Sequence, residues 1–327
     1  MHRLLLASAI VLLIAGALGA QVWTDDFTYP PGTQVGSWVE HLKDWTATGT
    51  QAQAQPVTNY GHMTQPKLAF QDCVADVEVE YNSTNGGLQF AGVILRANGP
   101  SQGSFGYDLL LIKAQGSSNF NRAYLYEHSQ TGSLSAVSVA ITAFTKGRVR
   151  LAVIDSRLVA RIDTNNDGKF DTTVTKSISL PVKSGPVGVC GYNGSFVDDY
   201  RLYDAVILDD AATPAPKPGN EYKMVLRGFP GATYQAATAL SNTGIPIGGG
   251  RVIPLGVDSM LFASATNVLP TLFKNYLGNL DGKGDGAISI ALPNLPALTG
   301  VTLYTAFVNF KGSTILTTSN DHQVTIQ

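Results

Sequence analysis

From residue 148 onward, apolar and polar side chains take turns along the chain. Val149, Leu151 and Val153 alternate with Arg148, Arg150 and Ala152. After Asp155-Ser156, Leu158, Ala160 and Ile162 alternate with Val159, Arg161 and Asp163. A period of two puts one side of each segment against a core, and the intervening pair is a turn, so the pattern predicts a hairpin with one buried face. Similar runs occur at 77–81, 89–96, 107–113, 122–127, 185–191 and 200–208, and again at 222–226, 234–240, 251–255, 286–292, 301–310 and 323–326. A helical period is not sustained anywhere; a short helix is expected over 268–277. Many short strands between turn signals predict an all-β chain.

The stretch 211–219, Ala-Ala-Thr-Pro-Ala-Pro-Lys-Pro-Gly, alternates proline with small residues and has no apolar period. It reads as a stiff linker between two sandwiches, one over 21–210 and an immunoglobulin-sized one over 220–327. Residues 1–20 carry His2 and Arg3, an apolar run over 4–14 and a small-residue run over 15–20. That order is the one found in a secretory signal peptide, with cleavage expected after Ala20 or alternatively after Ala17. No cysteine follows either point, so a lipoprotein anchor is not expected, and no later stretch is long and apolar enough to span a bilayer.

Composition narrows the partners. Charged residues make up 14% of the chain and the net charge is −2, falling further when Arg3 leaves with the signal. Such a balance gives no electrostatic footprint for nucleic acid or for an anionic membrane. A secreted, periplasmic or extracellular location would expose Cys73 and Cys190 to oxidising conditions, where a disulfide between them is expected; two separately buried thiols are the alternative.

Several segments together point to a known fold. Asp25-Asp26-Phe27, Gly36-Ser37-Trp38 and Asp44-Trp45-Thr46-Ala47 come first, followed by strands at 76–81 and 92–97, then Gly185-Pro186-Val187-Gly188-Val189 and Phe196-Val197-Asp198-Asp199-Tyr200. In this order they resemble the concanavalin A-like, laminin-G-like jelly rolls of secreted bacterial proteins, over about 22–209. The remainder resembles the C-terminal β-sandwich modules of planctomycete secreted proteins, through Val252-Ile253-Pro254, Leu255-Gly256-Val257-Asp258 and the segment 273–281. The first resemblance implies a concanavalin A-like jelly roll and leaves lectins, carbohydrate-binding modules, adhesion domains and glycoside hydrolases open; the second implies no activity.

Three groups of residues carry candidate chemistry. Asp163, Asn165, Asp167, Lys169 and Asp171 match the first nine positions of a D-x-N-x-D-G calcium loop, which makes calcium the one cofactor suggested. Val174 stands where the closing acid would be, and the alternative is a plain hairpin turn. Asp76, Glu78 and Glu80 share one strand face, as catalytic carboxylates do in family-16 glycoside hydrolases of the same fold, although that family has Glu at both ends and Asp between; the alternative is a solvated acidic face opposite Val77 and Val79. Tyr124 and Tyr126, with Arg96 and Tyr107 on neighbouring strands, could form a platform for a sugar, or could simply pack.

Trp38 and Trp45 read as core. The five histidines lack zinc spacing, and no nucleophile elbow, phosphate loop or dinucleotide fingerprint is present. The run 281–286 reads as a Gly-rich loop, and Asn82 and Asn193 begin glycosylation sequons. The expectation is a secreted, non-catalytic binding or adhesion protein for a glycan or extracellular polymer. A glycoside hydrolase on the acidic face and a purely structural surface component are the alternatives.

Overall fold

The hairpin forms in the expected register. Arg148 lies opposite Asp163 and Ile154 opposite Arg157, with Asp155 at φ 50° in the turn. The computed structural model describes residues 23–41, 45–55, 61–85, 87–97, 108–113, 116, 118–128, 134–178, 184–210, 212–248 and 251–327. The expected signal peptide lies outside them. The described chain is nearly all β and divides into two compact units, one over Trp23–Leu202 and one containing Tyr203–Gln327.

The first unit is a jelly-roll sandwich. It begins with β1 (Trp23–Asp25), β2 (Val39–Glu40), β3 (Trp45–Ala47), β4 (Ala52–Ala54), β5 (Gly61–Phe70), β6 (Cys73–Glu80), β7 (Phe90–Leu95) and β8 (Asp108–Lys113). There follow β9 (Phe120–His128), β10 (Leu134–Phe144), β11 (Lys146–Ile154), β12 (Arg157–Asp163), β13 (Thr172–Ser177), β14 (Gly185–Tyr192) and β15 (Phe196–Tyr203). One sheet, here the acidic sheet, runs β13-β12-β11-β6-β15-β4-β3 with β1 beside β15. The other, the tyrosine sheet, runs β10-β9-β8-β7-β14-β5-β2.

Between the sheets, Ala75, Val77, Val79, Val149, Leu151 and Val153 meet Ala91, Val93, Leu95, Val187 and Val189, all fully buried. Each valine or leucine so placed contributes about 1.5–3 kcal/mol relative to exposure. Trp38 and Trp45 belong to this core.

The expected disulfide is absent, and parity explains why. Cys73 points inward with Ala75 and Val77, whereas Cys190 follows the inward Val189 and points out of the opposite sheet into a separate cluster with Phe90 and Ile94. With one thiol turned into the sandwich and the other out of the opposite sheet, the two cannot be bridged without backbone movement. Both cysteines are buried thiols.

The second unit contains β16 (Val206–Asp209), β17 (Glu221–Arg227), β18 (Thr233–Ala239), β19 (Ile245–Gly248), β20 (Arg251–Ile253) and α1 (Ser259–Ala265). It continues with β21 (Phe273–Lys274), β22 (Leu277–Asn279), β23 (Asp285–Ala291), β24 (Thr302–Lys311), β25 (Thr314–Thr318) and β26 (His322–Thr325). A sheet β16-β17-β23-β21 packs on a sheet β22-β18-β24-β25, with β26 beside β24, around Met224, Leu226, Ala236, Ile288 and Phe307.

Two sequence expectations change here. The run 200–208 is two strands, and β16 pairs with β17 instead of ending the first sandwich. Asn320 holds it there: Ile207 N donates to Asn320 Oδ1 at 3.0 Å, and Asn320 Nδ2 donates to Ile207 O at 3.1 Å. The proline-rich stretch is therefore a connection between adjacent strands of the second unit, where Pro216 is buried and accepts from Gln327 N at 2.8 Å.

The helix also sits earlier than expected, at Ser259–Ala265. Asp258 caps it by accepting from Leu261 N at 2.8 Å, and Pro270, which lacks an N–H, falls within the expected span instead.

Candidate functional site

Residues that alternate with the core valines of the tyrosine sheet face outward. β7 contributes Phe90 and Ile94, β14 Cys190 and Tyr192, and β9 Tyr124 and Tyr126, and these gather in a cluster separate from the main core. Register sets their rows: Tyr192 lies opposite Phe90 across β14 and β7, while Tyr124 and Tyr126 lie opposite Leu111 and Leu109 of β8.

Two ring pairs result. Tyr124 and Tyr126 lie within 9° of parallel with centroids 5.6 Å apart; Phe90 and Tyr192 are within 10° and 5.0 Å. The three tyrosines are half-buried, and beside Tyr124 and Tyr126 the edge strand β10 offers only the exposed small residues Ser138 and Ala136. Flat apolar rings with phenol hydroxyls, bordered by a low rim, can take the C–H face of a sugar ring and hydrogen-bond its hydroxyls.

Of the four residues expected to form this platform, the structure brings Tyr124 and Tyr126 together. Tyr107 lies outside the described residues. Arg96 is placed elsewhere: it is 1% exposed and its guanidinium donates to Gln71 O at 2.6 Å and Asp155 O at 3.3 Å, with Asp72 at 3.5 Å. Its φ of 50° turns it out of the strand alternation, so it ties two turns together instead of lining the sheet. Tyr192 was missed, although it shares the outward parity of its strand; Phe90, stacked on it, is buried and supports it. His62, on β5 opposite Cys190, stacks on His41 at 4.5 Å, and His41 Nε2 bonds Thr64 Oγ1 at 2.6 Å. Burial holds the His41 pKa below its ordinary value.

The acidic strand face also forms, but its charges are matched from β11. Lys146, Arg148 and Arg150 lie opposite Glu80, Glu78 and Asp76. Asp76, 2% exposed, takes two 2.6 Å hydrogen bonds from Arg150, whose guanidinium lies 4.7 Å from the Phe170 ring centre. Lys146 reaches Glu78 at 2.5 Å and Glu80 at 3.7 Å.

A carboxylate clamped in this way is a poor nucleophile, so Asp76 does not fill the role that the hydrolase comparison requires. On β15, burial pushes the Asp198 carboxyl up to about 6; the Asp199 amide opposes the shift, and Glu78 and Asp199 add to it. Burial alone would raise Asp199 as well, but Arg148 and Arg201 hold it below its ordinary value.

The calcium motif becomes the β12–β13 turn, and its oxygens bind the turn itself. Asp163 Oδ2 accepts from Gly168 N at 2.9 Å, Asn165 Oδ1 from Asp167 N at 3.1 Å and Asp167 Oδ1 from Lys169 N at 2.8 Å. Asp171 Oδ2 accepts from Thr164 N and Oγ1 at 3.0 and 2.7 Å. Among the described residues no group of three or more acidic, histidine or cysteine side chains is placed to hold a metal ion. Asp163 Oδ1 is buried without a hydrogen-bond partner, and one oxygen does not make a coordination shell. Val174, at the position of the closing acid, is buried and supplies no oxygen, so the turn as folded gathers no complete calcium shell.

Known proteins resemble this chain in shape only. No family model matches it, and no curated protein matches it. Among solved structures, the carbohydrate-binding module CBM66 from Bacillus subtilis is similar at 10% identity and TM-score 0.36, covering 51% of this chain and 94% of that one. The VIP36 exoplasmic/lumenal domain, bound to calcium and Man3GlcNAc, is similar at 14% identity and TM-score 0.41, over 58% and 91% of the two chains. A family-16 glycosyl hydrolase protein from Mycobacterium smegmatis is similar at 11% identity and TM-score 0.38, over 56% and 100%. No residue role is carried from these proteins.

The sequons are structural here. Asn82 Oδ1 accepts from Thr84 N and Oγ1 at 3.0 and 2.6 Å, and Asn193 Nδ2 donates to Leu88 O at 3.1 Å, so both side chains brace loops. No helix among the described residues is long and apolar enough to cross a membrane.

Proposed function

We propose that this chain is a secreted binding or adhesion module whose tyrosine sheet holds a glycan, or a related extracellular polymer, across Tyr124 and Tyr126. The observation that carries the reading is the parallel tyrosine pair, half-buried on an outward sheet face and bordered by small side chains. Half-burial keeps the rings rigid, so little side-chain entropy is lost on contact, and the hydroxyls supply direction.

The acidic face does not compete for this role, because Arg150 and Lys146 occupy its carboxylates. A glycan array probed with the mature chain tests the proposal. Binding to a defined glycan class that disappears in Tyr124→Ala supports it; an array without signal, or binding indifferent to that substitution, sinks it.

A further inference from the structure

An open sheet edge exposes unpaired N–H and C=O groups, and proteins usually blunt it with charge, proline, short length or a cover. In the first unit three edges follow that rule. β2 has two residues and ends in Glu40, β3 has three, and β13 carries Lys176.

β10 does not. It has 11 residues, Leu-Ser-Ala-Val-Ser-Val-Ala-Ile-Thr-Ala-Phe, without a charge, a proline or a glycine. Its only strand partner among the described residues is β9. Residues 135–138 are exposed on both faces, with Val137 38% exposed, so nothing described covers this part of the edge.

We propose that β10 pairs antiparallel with β10 of a second copy, joining the two tyrosine sheets into one continuous sheet in a two-fold dimer. An uncharged strand is complementary to itself, since the two-fold brings no like charges together, and with the two-fold at Val137 the regular stretch from Leu134 to Ala140 gives a ladder of roughly 24 Å at about 3.4 Å per residue. Charge complementarity also favours this occupant over a charged extended peptide, whose side chains would find no counter-charge on β10. Assembly stops at two, because the opposite edge, β2, is too short to propagate the sheet.

The two-fold of an antiparallel ladder is perpendicular to the sheet, so both outer faces stay on one side. The two tyrosine pairs then lie three strand spacings apart, about 14 Å, on a shared surface. That last consequence rests on the proposed binding function; the dimer itself does not.

Light scattering on size-exclusion-purified mature chain, across the micromolar range, tests the pairing without reference to any ligand. Wild type is expected at twice the single-chain mass. Ala136→Lys/Ser138→Lys, which opposes lysines across the seam, is expected at the single-chain mass with an unchanged far-ultraviolet spectrum, and Thr175→Lys on the β13 edge should leave the dimer intact.

Hydrogen exchange on wild type guards against misfolding of the variant: the β10 amides directed away from β9 should be protected. Wild type at single-chain mass, a folded lysine variant that keeps the double mass, or unprotected outward amides would each overturn the proposal.

Discussion

The indole of Trp38 donates to Asp25 Oδ2 at 2.8 Å. Tyr29 OH donates to the same oxygen at 2.7 Å, and Phe27 N donates to Oδ1 at 2.8 Å. Trp38 in turn packs edge-on against Trp23 and Tyr200, with ring centres 5.0 and 5.2 Å away. The Asp-Asp-Phe and Gly-Ser-Trp segments thus form one knot, in which a buried carboxylate satisfies three donors. Loss of that carboxylate leaves the donors without an acceptor in the core, so Asp25→Ala should lower stability by about 3 kcal/mol in urea unfolding. A change under about 1 kcal/mol would show that the knot is incidental.

Asp76 and Arg150 form the other buried polar lock. Removing one partner of such a pair strands the other charge, at a cost of about 3–5 kcal/mol, whereas exposed pairs are worth under about 1 kcal/mol. Asp76→Ala should therefore unfold at much lower denaturant than wild type, and Glu80→Gln should unfold close to it. Equal effects would mean that the two carboxylates share one environment.

Asp198 should make stability depend on pH. Its folded pKa is raised to about 6 from 3.8, so its stabilising contribution is complete below the unfolded value and is lost as pH rises through the folded one. Asp198→Asn, which cannot ionise, should melt above wild type near about pH 8 and lose that advantage near about pH 4. An advantage of the same size at both pH values would contradict the shift.

Much of this was legible from alternation. The register of β11 on β12 follows from Val149, Leu151 and Val153, and the outward parity of Tyr124 and Tyr126 follows from Ala123 and Leu125 between and beside them. The same parity rule separates Cys73 from Cys190, once each is compared with its apolar neighbours.

Other features depend on contacts far along the chain. β16 belongs to the second unit because Asn320, 113 residues away, binds it, and nothing in the 200–208 pattern records that. Arg96 suited a binding surface by type and strand position; a single positive φ sent it into the protein. The calcium-like run had the right residue types, but most of its oxygens named above accept N–H groups of its own tight turn, and Val174 stands where the closing acid would be.

That turn gives a prediction about metal. Because Val174 is buried where the closing acid of such a loop would stand and supplies no oxygen, melting should not shift between excess calcium and chelator. A rise in melting temperature with calcium would mean that the turn rearranges to gather Asp163, Asp167 and Asp171.

Thiol chemistry checks the sandwich parity directly. Titration of denatured, unreduced protein should find both cysteines reactive, since Cys73 and Cys190 are buried on different sides of a sheet. A non-reactive pair would place them together and contradict the inward and outward assignment.

The tyrosine pair is the proposed binding surface. Calorimetric titration of wild type and of Tyr124→Ala/Tyr126→Ala, with the glycan that the array selects, measures this most directly. Wild type should give saturable heat, and the variant at least about a tenfold loss of affinity with its melting transition retained, because each ring contributes about 1 kcal/mol or more of contact. Undiminished affinity in a folded variant would place the ligand elsewhere on the molecule.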